Sequence, residues 1–150
     1  GKGNALIMGK AGRGKSHLAM AVASKLNADW KANKQPKSIL FINLPALFIK
    51  IQNSFNRKEG MTSNEWLELL KKVDYLILDD LGRSDNAQWK QDFLYSLLDE
   101  REATIITTNL VGSEMKSLFE TGLVSRITKG GRDLYFKYPD TAEDRRKLPF

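Results

Sequence analysis

Five short apolar runs recur along the chain, at 5–8, 38–43, 75–79, 104–108 and 133–138, with helix-like patterns between them. Strands that alternate with helices predict a parallel α/β sheet. Ile39-Leu40-Phe41-Ile42, Leu76-Ile77-Leu78 and Ile105-Ile106 are continuous apolar runs, as expected of central strands covered on both faces. Between the first two strands, Leu18, Ala19, Val22, Ala23 and Leu26 fall at helical spacing and predict a helix over 15–29. Thr62 followed by Glu65 matches a capping box, so Trp66, Leu67, Leu69 and Leu70 predict a helix that ends near Lys71-Lys72. Phe93, Leu94, Leu97 and Leu98 mark an amphipathic helix over 88–100, and 123–127 reads as a short apolar helix. Residues 27–37, with Lys31, Lys34, Pro36 and Lys37, read as an exposed basic connection, and 53–60, with Arg57 and Lys58, as a mobile polar loop. No internal repeat or long linker divides the chain.

At 150 residues with 41% hydrophobic content, one core and one domain are expected over 1–150. No apolar run approaches the roughly 20 residues that span a bilayer, and the first residues lack a signal-peptide pattern, so cytoplasm and no membrane partner are the expectation. Without cysteine there is no disulfide scaffold, thiolate zinc site or cysteine nucleophile, and a single histidine rules out a histidine-rich metal site. The 24 basic residues outnumber the 18 acidic ones, for a formal charge of +6 that favours a polyanionic partner.

Gly9-Lys10-Ala11-Gly12-Arg13-Gly14-Lys15-Ser16 fits G-x-x-x-x-G-K-[ST] at every fixed position, between a predicted strand and a predicted helix. Glycines let backbone amides turn inward around phosphate oxygens, and the helix N-terminus adds a favourable dipole. Lys15 would then reach the β and γ phosphates of a nucleotide, and the Ser16 hydroxyl would ligate Mg²⁺. His17 lies one residue further into the helix, next to the nucleotide, and reads as a packing or surface residue rather than a catalyst.

Tyr75-Leu76-Ile77-Leu78-Asp79-Asp80 runs from an apolar strand into two carboxylates, the pattern of a Walker B element. Asp79, the first acid after the strand, is the candidate for holding Mg²⁺, and Asp80 for polarising an attacking water as general base. Alone, such a pair also fits a turn cap. Asn109 directly follows the strand at 104–108; its amide would sense a γ phosphate or hold the lytic water, although Asn109 and Gly112 also suit a plain turn. Arg126 is displayed by the short helix, where it is either a solvated surface charge or an arginine finger for phosphoryl transfer.

Taken in order, Gly14-Lys15-Ser16-His17-Leu18-Ala19, Leu78-Asp79-Asp80-Leu81-Gly82, Ile106-Thr107-Thr108-Asn109-Leu110 and Ser125-Arg126-Ile127 resemble the DnaC/DnaI/IstB group of AAA+ ATPases, over nearly the whole chain. The resemblance implies a P-loop NTPase fold of ASCE type: three α/β/α layers around a five-stranded parallel sheet of order 5-1-4-3-2, with ATP and Mg²⁺ at sites shared between neighbouring subunits. It makes Lys15 and Ser16 Walker A residues, Asp79 and Asp80 Walker B, Asn109 sensor 1 and Arg126 a finger acting in trans. Many AAA+ proteins carry Glu where this chain has Asp80; Asp is usual in this branch, and its shorter reach implies slower hydrolysis. Few residues follow Tyr138, so the helical lid is expected to be absent or rudimentary; Arg145 or Arg146 either opens a solvated helix, the favoured reading, or takes part of the sensor 2 role. An N-terminal partner-binding domain of the kind such loaders carry is expected to lie outside this chain.

The leading expectation is an ATP-dependent loader of a hexameric replicative helicase that assembles head to tail as a ring or spiral and binds single-stranded DNA, with Lys31, Lys34, Lys37, Arg57 and Lys58 as candidate phosphate contacts. The alternatives are an IstB-like transposition helper, a P-loop nucleotide kinase, and a nucleotide-gated binding module with negligible turnover.

Overall fold

A computed structural model of the chain describes residues 3–57, 59–131 and 134–142. Strands β1 (Gly3–Met8), β2 (Ile39–Asn43), β3 (Tyr75–Leu81), β4 (Ala103–Thr108) and β5 (Tyr135–Lys137) form one sheet of order β2-β3-β4-β1-β5. Every pairing is parallel, and the order is the expected 5-1-4-3-2 counted from the other edge.

Among the described residues six α-helices cover the sheet: α1 (Lys15–Ala32), α2 (Leu44–Arg57), α3 (Ser63–Lys72), α4 (Gln88–Glu100), α5 (Gly112–Leu118) and α6 (Thr121–Ile127). The larger core lies under α2 to α6, where Leu6, Leu76, Leu78 and Ile106 meet Phe48, Ile51, Leu97 and Ile127. On the opposite face Ile7, Ile77 and Ile105 pack against Ala19 and Ala23. Two alanines one turn apart bring α1 close to the strands. Its stripe is narrower than the sequence pattern predicts, since Val22 is exposed.

Three segments differ from the sequence reading. The expected loop at 53–60 is largely helical, because α2 starts directly after β2 and runs to Arg57. Leu44, Leu47, Phe48 and Ile51 are its buried stripe, Pro45 sits in its first turn, and the Asn43 side chain caps it by accepting the Ala46 amide at 3.0 Å. The basic connection is shorter than 27–37, since α1 continues to Ala32. Gly112 opens α5 instead of completing a turn with Asn109. The capping box at Thr62 and Glu65 is present as expected. Lys58, Arg145 and Arg146 lie outside the described residues, as does Asp133 at the start of the fifth apolar run.

Arg101 ties α3 to the sheet from a buried position, 4% exposed. Its guanidinium donates to the carbonyls of Leu70, Val73 and Ala103 at 2.7–2.9 Å and to the Thr104 hydroxyl at 3.1 Å. Leu70 belongs to the last turn of α3, so a cation there meets carbonyls that the helix leaves without partners. Burial lowers the Arg101 pKa from its ordinary value, and Asp74 opposes that shift. Among the described residues no helix is long and apolar enough to cross a membrane.

Candidate functional site

Parallel strands aim their carboxyl ends the same way, so the segments after β1, β3 and β4 meet at one edge of the sheet. There a cavity of about 530 Å³ is lined by Gly12, Gly14, Lys15, Ser16, His17, Pro45, Asp80, Gly82 and Asn109, among others.

The loop after β1 takes a path open mainly to glycine. Gly12 and Gly14 have φ of 79° and 95°, and Gly14 is the left-handed residue from which α1 departs. Lys15 is 6% exposed, with its ammonium donating to the Lys10 carbonyl at 2.8 Å. The loop is braced from behind by Tyr138. Its hydroxyl donates to the Gly14 carbonyl at 3.3 Å, its backbone amide donates to Met8, and a Cβ at Gly9 would stand 2.8 Å from the tyrosine's own Cβ.

The end of β3 departs from regular pairing. Leu78 pairs with Ile106 and Leu81 with Thr108, so β3 spends three steps where β4 spends two. One extra residue is a β-bulge, a device that re-aims side chains at a strand end. Asp80 sits in the bulge at φ 65°, a left-handed conformation that Asp tolerates better than most residues. The Thr107 hydroxyl stitches the bulge: it accepts the Asp80 amide at 3.0 Å and donates to the Asp79 carboxylate at 2.7 Å. Thr108 holds the next residue by donating to the Leu81 carbonyl at 2.6 Å.

Asp79 and Asp80 consequently have different environments. Asp79 is 5% exposed and also accepts the Ser16 hydroxyl at 2.8 Å. Asp80 faces the cavity and accepts the Asn43 amide at 3.3 Å. Desolvation, then repulsion from Asp79, pushes the Asp80 pKa up, against the pull of Lys15 and Asn43. Among the described residues no three His, Asp or Glu side chains gather as metal ligands. The Ser16–Asp79 pair is one hydroxyl and one carboxylate, a hard oxygen set of the sparse kind that suits Mg²⁺ completed by water and phosphate oxygens.

Asn109 is exposed and lines the cavity with Lys15 and Asp80. His17 is exposed at the same rim, as its surface reading predicts. Arg126 lies away from this group on α6. Its guanidinium donates to Asp99 at 2.6 Å and sits 5.2 Å from the centroid of the Tyr95 ring, both on α4. Within one chain it therefore does not join the cavity.

The family model for IstB-like ATP binding protein matches residues 1–127. The chain belongs to this family. Its relatives include the uncharacterized protein YdaV of Escherichia coli K12, 28% identical over 140 residues that cover 90% of this chain and 53% of that protein. The replicative helicase loader DnaC of Buchnera aphidicola subsp. Acyrthosiphon pisum is 27% identical over 129 residues, covering 83% of this chain and 50% of the loader. The chain thus spans about half the length of the curated relatives it matches. Among solved structures, DnaI superposes with a TM-score of 0.69 at 28% identity, over 97% of this chain and 73% of that one. AMPPCP-bound DnaA from Aquifex aeolicus superposes at 0.70 with 21% identity, over 97% of this chain and 43% of DnaA, a likeness of fold. The fold is that of an AAA+ P-loop domain, and the DnaC/IstB-like resemblance read from the motifs holds.

In this IstB-like domain the sequence reading did not single out Asn43, Thr107 or Tyr138 as site residues. Asn43 had a usable signal, because Asn followed by Leu44-Pro45 is a helix-start signature. Thr107 had only its place beside two carboxylates across a sheet whose order must first be known. For Tyr138 no local signal exists, since its partner Gly14 is 124 residues away.

Proposed function

We propose that this domain is the ATP-hydrolysing core of a replicative helicase loader. The observation that carries the reading is the Ser16 hydroxyl 2.8 Å from the Asp79 carboxylate, at a cavity that also presents Lys15, Asp80 and Asn109. In this reading the backbone amides of Gly9, Lys10, Ala11, Gly12, Arg13 and Gly14 cradle the phosphates of ATP, with His17 at the rim, and Lys15 neutralises their charge. Ser16 and Asp79 hold Mg²⁺, which when bound neutralises charge on the phosphate oxygens. Asp80, its pKa raised and its carboxylate oriented by Asn43, takes the proton of the attacking water. The Asn109 amide orients that water or senses the terminal phosphate. Arg126 serves the cavity of a neighbouring copy, so the subunits assemble head to tail in a ring or spiral.

Similarity to the replicative helicase loader DnaC supports a replicative helicase as the partner. In this reading that helicase is hexameric, single-stranded DNA is the second ligand and the cytoplasm is the place of action. Residues 1–150 act as the ATPase core, and docking on the helicase uses a separate N-terminal domain. The match to the IstB-like model supports a second reading, an ATP-dependent transposition helper.

The test is ATP turnover with Mg²⁺, with and without single-stranded DNA, followed by loading of a replicative helicase from the same genome onto a DNA circle by the protein that carries this domain together with its helicase-docking domain. Phosphate release that depends on Asp80, together with ATP-dependent loading, is expected. Turnover without loading, paired with stimulation of a transposase, would give the second reading the case.

A further inference from the structure

At the opposite end of the sheet, where β2 and β3 begin, a second cavity of about 360 Å³ is lined by Asn27, Trp30, Lys31, Lys34, Gln35, Pro36 and Lys37. It is separate from the nucleotide cavity, because Tyr75 to Asp80 along β3 span roughly 15–20 Å. We infer that this cavity is a binding site for single-stranded nucleic acid, with lysines 31, 34 and 37 on the phosphates and a base on the Trp30 ring. The inference rests on the DNA-dependent reading above and gives it a location.

Four observations converge on that chemistry. Trp30 is only half-buried and leans on Tyr75, with ring centroids 4.7 Å apart at 42°, so a large aromatic surface is held in place at the cavity. Among the described residues neither Lys31 nor Lys34 has a carboxylate partner, and Lys37 only approaches Asp74 at 4.0 Å. The segment is ordered by backbone bonds. Lys34 donates its amide to the Lys31 carbonyl and Gln35 donates to Trp30, the pairing of a Schellman cap on α1. That cap places Lys34 at φ 54°, the left-handed position where glycine is the usual residue. Glycine at 34 would fit the backbone better, and lysine brings a charge to the cavity instead. Basic groups interleaved with a supported aromatic ring are the combination that binds single strands without sequence preference.

The experiment measures anisotropy of a fluorescein-labelled oligothymidylate against the wild-type protein and its variants over a range of salt. Lys31→Ala, Lys34→Gly and Lys37→Ala combined are expected to weaken binding at least tenfold, and to reduce the slope of log affinity against log salt by about 2. Lys34→Gly alone is expected to weaken binding while its melting temperature stays level or rises, which a purely structural lysine would not do. Trp30→Leu is expected to cost roughly another tenfold. ATP affinity should be unchanged in all of them, and polyglutamate should not compete with the oligonucleotide. Wild-type binding that survives the triple substitution, or that polyglutamate displaces, would overturn this site and leave the helicase-loader reading standing. A wild-type protein with no affinity for the oligonucleotide under any nucleotide condition would overturn both this site and the DNA ligand of that reading.

Discussion

Two neighbouring carboxylates come to differ because one hydroxyl touches both of their residues. Thr107 donates to Asp79 and accepts from the backbone of Asp80, which leaves the Asp80 side chain to the cavity. Asp80→Asn should keep ATP bound while phosphate release falls by about 10²-fold or more, the range assigned to a general base. Because the Asp80 pKa is raised, its carboxyl holds a proton to higher pH than an ordinary Asp and is active as a base only once deprotonated. Turnover should therefore rise with pH through a transition above the usual Asp range, and that limb should vanish in the Asn variant; a pH–rate profile reads it directly. Lys15→Ala should abolish ATP binding in calorimetry, since a buried ammonium at the cavity is lost. Lys15, Ser16, Asp79 and Asp80 were legible in the sequence because each motif is local. Thr107 and Asn43 were not, because their contacts with the aspartates cross from one strand to the next.

At the level of elements, hydrophobic periodicity located the five strands of the described residues and the helices α1, α3, α4 and α6. It missed α2, whose apolar stripe follows β2 without a turn, so that two periods run together and only the Asn43 cap marks the change. The short α5 was hidden for a related reason: Gly112 looks like punctuation but occupies a helix start. Arg101 supplies the buried polar tie between the end of α3 and the sheet. Arg101→Met would fill similar space while stripping donors from the Leu70, Val73 and Ala103 carbonyls. A loss of about 2–4 kcal/mol is expected, seen as a lower urea midpoint with an unchanged m-value.

For the whole molecule, the strand order was supplied by resemblance and not by any property of the strands, since apolar runs of similar length do not reveal who pairs with whom. The arrangement leaves Arg126 outside its own cavity, bound to Asp99 and Tyr95 on α4. If it works on a neighbour's nucleotide, an Arg126→Ala chain mixed with a Lys15→Ala chain should regain part of the ATPase activity that each lacks alone; steady-state turnover across mixing ratios would show it, and a flat response would remove Arg126 from the reaction. The edge strand β5 is joined to the nucleotide cavity through its neighbour Tyr138. It is a three-residue edge strand with all of its residues exposed, yet the tyrosine that follows it holds the Gly14 carbonyl and closes against Gly9. Opening of that short edge thus removes a brace from the phosphate loop. A ligand that immobilises the loop is expected to slow amide hydrogen exchange at Tyr138, and fraying of the edge is expected to weaken that ligand.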